Sequence, residues 1–335
     1  MRSSRAESLV LVGDDGTRRE LFTQHRDAGE LATQEVFQVS PDGAHLAYAF
    51  EDTLHVRASD GSEHTIAGYH QGASHMRFSP DGKYLAAILA NTAEHRIVLL
   101  DLATGALREL GVFTVVMGIE WSQHRLIAAT WDLDRHLAVL FAFPSDGSAT
   151  RIAEVVSYDR FIAAPDASRV IVVARDASSS RVVAFDADAP SKLRELAKLD
   201  GRIENLAISR DGSRVAFATA AGVFETRGDA RARSISARSF VTSLWYSRDG
   251  SLGYASTSSA TVLSDGGRAR HFDSDGPIAM LRFDAVSGHA LVATRAHAWD
   301  LATSQRFAAP GAGQALVGVD RFAGGLVLWT AAASN

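Results

Sequence analysis

Twelve histidines are the first groups to weigh as metal ligands or proton carriers. His45, His55, His64, His70 and His75 crowd the region between positions 45 and 75. They fall in turns or at alternating strand positions, where an imidazole is solvated or hydrogen-bonded, and their spacing does not resemble a ligand set. Asp159, Asp275 and Asp284 are carboxylates that could hold a cation for ring-opening hydrolysis of a lactone-like substrate. A turn or solvated role is the plainer reading of each. There is no Gly-x-Ser-x-Gly nucleophile elbow, His-Glu-x-x-His pair, phosphate loop or dinucleotide fingerprint. Gly311-Ala312-Gly313 leads into no helix. The chain has no cysteine, which removes disulfides, thiolate metal sites and a cysteine nucleophile together. The residues point away from an enzyme, with no cofactor or metal expected.

Whatever these side chains do, repeated hairpins must position them. Phe78-Ser79-Pro80-Asp81-Gly82-Lys83-Tyr84-Leu85 reads as strand, turn, strand. Proline presets φ, aspartate bonds nearby amides, and glycine takes the left-handed conformation. The unit recurs, with its serine position falling at Ser40, Ser79, Ser122, Ala164, Ser209, Ser247, Asp284 and, weakly, Asp320. The spacings run 39, 43, 42, 45, 38, 37 and 36, a mean of 40. A period of about 40 with four short strands per unit is the signature of a β-propeller blade.

A second family of turns, including Ser59-Asp60-Gly61 and Asp101-Leu102-Ala103-Thr104-Gly105, supplies the outer hairpin of each unit. We name the strands A to D from the innermost outward. Seven complete sets begin near Val36, Met76, Gly118, Asp159, Ile203, Val241 and Ile278. A C–D hairpin remains at the N-terminus (Ser8 to Val12, Thr17 to Phe22). An A–B hairpin remains at the C-terminus (Leu316 to Val319, Leu326 to Thr330). Joined, they make one more blade and leave no open edge. The expectation is an all-β, eight-bladed β-propeller spanning 1–335 as a single domain, with seven blades as the alternative.

The Ser-Pro-Asp-Gly-x-x-Leu-Ala units resemble the WD40-like (PD40) repeats of the bacterial TolB-type propeller family over nearly the whole chain. Trp299-Asp300 and Leu100-Asp101 stand where WD40 repeats place their Trp-Asp pair. The Gly-His pair of eukaryotic WD40 blades is missing, so the Asp-His network of that family does not carry over. The resemblance implies the architecture and a tendency to act as a protein-binding platform.

In such a fold the A–B and C–D turns leave one face, and the B–C and D–A connections the other. The second set reads as longer and more varied, and binding residues concentrate on variable loops. Thr23 to Glu30 is a charged D–A connection. Glu94 and His95 follow in a B–C loop, and Trp131, Asp132, Asp134, Arg135 and His136 form the next. Tyr69, His70, Tyr158, Arg160 and Arg175 complete the candidate partner-binding set, with Arg238 and Phe240 nearby. Tryptophan and arginine are favoured interface anchors. The expected function is a non-catalytic scaffold docking a partner protein on this face. The alternative is a small-molecule or metal-dependent, lactonase-like enzyme with its site in the channel.

The net charge is −5, from 34 Lys and Arg against 39 Asp and Glu. Without a basic run, no nucleic-acid footprint is read. Leu9 to Val12 is too short for a secretion segment, and nothing approaches a membrane span. The expected location is cytoplasmic, in a bacterium.

Overall fold

A computed structural model describes residues 4–13, 15–27, 37–50, 52–67, 76–90, 93–144, 148–237, 240–274, 276–284, 286–309, 314–323 and 325–332. Strands and turns make up all of it, with no helix among the described residues. The turns at Ser145–Gly147 and Gly311–Gly313 lie outside them.

Strands β1 (Ser4–Val12) and β2 (Arg18–Asp27) form the opening hairpin. Seven antiparallel sheets follow, each in chain order. The first has β3 (Phe37–Val39), β4 (His45–Phe50), β5 (Thr53–Ala58) and β6 (Glu63–Ala67). The second has β7 (Met76–Phe78), β8 (Tyr84–Ala90), β9 (His95–Asp101) and β10 (Leu107–Phe113). The third has β11 (Val116–Ser122), β12 (Arg125–Asp132), β13 (Leu137–Pro144) and β14 (Thr150–Val155). Next come β15 (Tyr158–Ala163), β16 (Arg169–Arg175), β17 (Ser179–Asp186) and β18 (Ala189–Asp200). The fifth has β19 (Ile203–Ile208), β20 (Arg214–Thr219), β21 (Gly222–Arg227) and β22 (Arg233–Ser236). The sixth has β23 (Ser243–Tyr246), β24 (Leu252–Ala255), β25 (Ser259–Leu263) and β26 (Ala269–Asp273). The seventh has β27 (Ile278–Phe283), β28 (Ala290–Thr294), β29 (His297–Asp300) and β30 (Gln305–Ala308). Finally β31 (Gln314–Phe322) and β32 (Gly325–Ala332) return to the opening hairpin in the order β2-β1-β32-β31. Glu7 through Val12 pair with Ala331 through Leu326. The chain is an eight-bladed β-propeller closed by strands from both ends.

It packs as two compact units. One is Met1–Glu51, His55–Glu63 and Phe240–Asn335; the other is Asp52–Leu54 and His64–Ser239. In the second unit the A strands β7, β11, β15 and β19 run as neighbours; in the first, β23, β27, β31 and β3 do. The cores lie between consecutive sheets. Ile88, Ile97 and Leu99 of one sheet meet Ile119, Trp121 and Leu126 of the next, all buried. Trp121 also donates its indole N–H to the Arg77 carbonyl at 2.9 Å. Burial of both sheet faces explains why β20 is buried at every position.

The serine turns have a common internal chemistry. Ser79 is 3% exposed. Its hydroxyl donates to Asp81 at 2.7 Å and accepts the Tyr84 amide at 2.9 Å. Gly82, at φ 71°, closes the turn. Ser40–Asp42 and Ser209–Asp211 repeat the bond at 2.5 and 2.6 Å, and Ser247–Asp249 makes it too. At Asp211 the Ser209 hydroxyl leads the causes that hold the carboxyl below its ordinary range. These serines are structural donors, tied down and buried. Ser79→Ala strips an acceptor from Tyr84 N–H and a donor from Asp81. It should cost about 1–2 kcal/mol, read as a lower urea midpoint at unchanged slope; an unmoved midpoint would refute this account of the turn.

Candidate functional site

Two of the D–A connections are short. β10 runs to Phe113 and β11 starts at Val116; β14 ends at Val155 and β15 starts at Tyr158. Thr23–Asp27 extends β2 and is not loop. Tyr69, His70 and Arg238 lie outside the described residues. The other expected site residues fall into two groups.

One group surrounds the β12–β13 turn. Trp131 is a strand residue of β12, half-buried, with its amide donating to the Val115 carbonyl at 3.1 Å. The sequence places it in an exposed loop because two charged neighbours follow it; ladder pairing with Ala138 extends the strand past it. Asp132 accepts the amides of Asp134 and Arg135 at 3.1 and 3.0 Å, which folds the turn on itself. His136 leaves the turn with φ 52°. Arg135 reaches across the sheet to Glu154 on β14 with two parallel bonds, 2.5 and 2.7 Å. Arg151 also pairs with Glu154.

Two exposed aliphatic residues lie close to this pair in sequence. Leu133 in the turn is 52% exposed and Val156, two residues beyond Glu154, is 66% exposed. Both belong to the B–C/D–A end of sheet β11–β14, since antiparallel order brings the ends of β12 and β14 together. Neither stands out as a site residue in the sequence. A signal for Val156 exists nonetheless. Val156 is an apolar residue in the short turn that follows β14, where a polar residue is the usual choice.

The other group, Arg175 apart, is held by hydrogen bonds or packing. His95 opens β9 and accepts the Val116 amide at 3.0 Å through Nδ1, bridging consecutive sheets. Glu94 accepts from Arg96 at 2.7 Å. Arg160 donates to Asp159 at 2.9 Å and to the Glu204 carbonyl at 2.9 Å. Tyr158 packs against the core cluster of β12, β13 and β16. Burial first, then the Glu120 and Asp159 charges, drives its hydroxyl well above the usual tyrosine range. Arg175, exposed at the end of β16, has no ion-pair partner among the described residues. Phe240, in the other unit, is 69% exposed.

The described carboxylates weighed for channel chemistry are engaged locally. Asp159 is bound to Arg160. Asp284 is 1% exposed and caps the amides of Val286 and Ser287. Asp275 lies outside the described residues. Among the described residues, no three His, Asp or Glu side chains are grouped as a metal would need. The Trp299-Asp300 pair does recruit a histidine, but not by the WD40 route. His289, from the A–B turn of the same sheet, places Nδ1 2.9 Å from Asp300 Oδ2.

No protein-family model and no curated protein matches the chain. Solved structures do match in shape. A eukaryotic initiation factor superposes with TM-score 0.56 at 12% identity, over 91% of this chain and 85% of that one. The β-propeller domain of Cps50 (Swd1) from Myceliophteria thermophila gives 0.54 at 14%, over 82% and 95%. The β-propeller domain of the Trilobed protease from Pyrococcus furiosus, described as having an open velcro topology, gives 0.54 at 14%, over 85% and 88%. These likenesses establish the fold. No helix among the described residues is long and apolar enough to cross a membrane.

Proposed function

We propose that this propeller is a non-catalytic, cytoplasmic interaction scaffold that docks a partner protein on the B–C/D–A end of sheet β11–β14. The observation that carries the reading is the pair of exposed aliphatics, Leu133 and Val156, at the same end of the sheet as the Arg135–Glu154 ion pair. An interface anchor is an apolar contact ringed by charges that fix register and exclude water. Arg175 on the neighbouring sheet and the short, hydrogen-bonded turn suit such a surface, because little ordering entropy is lost on docking. Trp131 serves as support beneath it.

Leu133→Asp with Val156→Asp tests the reading without touching the strand ladder. Captured from its native cells at moderate salt, the tagged wild type should retain a stoichiometric partner. The double variant should bind that partner at least about tenfold more weakly, with an unchanged melting temperature. A partner held equally by both proteins would remove this face from consideration.

A further inference from the structure

A cleft of about 620 Å³ lies between sheets β23–β26 and β27–β30, at their A–B/C–D turn end. Small-molecule sites commonly measure about 300–1,000 Å³. One wall is aromatic: Phe272 of β26 and Trp299 of β29 pack with ring centroids 5.3 Å apart and planes tilted by 59°. Arg306 lies over the Trp299 ring, 5.5 Å from its centroid, and holds the indole in place.

The β26 side of the cleft is also basic. Arg270, His271 and Phe272 of β26 line the cleft together with Arg268, one residue before the strand. Among the described residues neither Arg268 nor Arg270 has an ion-pair partner. The carboxylates that reach the cleft are already engaged. Asp249 is held by the Ser247 hydroxyl and the Ser251 amide. Asp300 is fully buried and held by Arg321, His289 and two turn amides. Arg268 and Arg270 can thus take an incoming anion beside the aromatic surface.

We propose that this cleft binds an aryl carboxylate: a planar aromatic acid whose ring packs into the corner formed by Trp299 and Phe272 and whose carboxylate is taken by the Arg268 and Arg270 guanidinium groups. The guanidinium fork matches the carboxylate geometry in a way that a neutral amide of the same shape cannot. The ring supplies apolar contact that a free inorganic anion lacks.

The full chain can be titrated with 2-naphthoate and, separately, with its neutral isostere 2-naphthamide, by ligand-observed and indole N–H NMR. Naphthoate should bind at least about tenfold more tightly than the amide and shift the Trp299 indole signal. Arg268→Gln with Arg270→Gln, at exposed positions, should abolish that preference while leaving the melting temperature unchanged. Equal binding of acid and amide, undiminished naphthoate binding by the double variant, or no binding of naphthoate up to its solubility limit would each overturn the proposal.

Discussion

Arg321→Met is expected to lower the unfolding free energy by about 3–5 kcal/mol, because it strands two buried carboxylates at once. Arg321 lies 2.5 Å from Asp300 and 3.3 Å from Asp284. Asp284 is 1% exposed and Asp300 0%. Arg282 meets the equally buried Asp320 at 2.8 Å. Three aspartates are thus answered by two arginines and His289. Arg321→Lys retains the charge but loses the planar fork, so it should recover only part of the loss. Urea unfolding of the three proteins at pH 7 reads this directly; a wild-type midpoint in Arg321→Met would show that water or His289 alone suffices.

The same cluster gives stability two opposing pH dependences. Burial pushes the Asp320 carboxyl up to about 6 from its ordinary 3.8, with Arg282 pulling only part of the way back. A raised carboxyl means that the folded state holds the proton more tightly. Its contribution is present below about pH 4 and is lost as pH rises through 6, a change of about 3 kcal/mol across that window. Asp300 runs the other way. Burial raises its carboxyl, but His289 and Arg321 outweigh that and hold it at about 2. Its contribution is therefore complete above its ordinary value and fades as pH falls toward 2. Glu225, also held at about 2, adds to that acid-side loss; burial opposes the shift and Arg214, Arg233 and Arg227 dominate it. Asp320→Asn should flatten the profile between pH 4 and 6 and leave the steep fall below pH 4 intact.

Much of this is legible in the repeat, up to a definite point. Aligning the turns puts Asp284 and Asp320 where five other units carry buried serine. A reader of the sequence can therefore see that two blades exchange a hydroxyl for a carboxyl. Nothing local announces that these carboxylates are buried, because their counter-charges come from other strands. Arg321 serves Asp284 and Asp300, which belong to the preceding sheet. Turn positions were readable because Gly82 and Asp81 have few conformational alternatives. Strand ends were not: Trp131 and Thr23–Asp27 continue their strands through ladder pairing, which charged neighbours conceal. The Arg135–Glu154 clamp and the Trp299–Phe272 wall join residues far apart in sequence, and only the register of the sheets brings them together. Function was the least legible layer, since the recurring serines and aspartates are occupied in holding turns.

Ending the chain at Phe322, which removes β32, should have the largest effect of all. β32 lies between β1 and β31, and so supplies both with their ladder bonds. Val327, Leu328 and Trp329 are 0%, 1% and 6% exposed, and Val327 and Trp329 pack with Leu9, Phe37 and Tyr48. Leu328→Ala alone, as a buried large-to-small change, should cost about 2–5 kcal/mol. Losing the strand removes that contact together with its neighbours and exposes two unpaired edges, which promotes association between chains. Hydrogen exchange would locate the damage: the amides of Val10 and Val319 should lose protection and the truncated protein should sediment as oligomers. A peptide spanning 325–332, added in excess, should restore protection by re-entering as a strand. Retained protection without the peptide would mean that β1 and β31 are held by packing alone, and that strand closure is not what secures this end of the sheet.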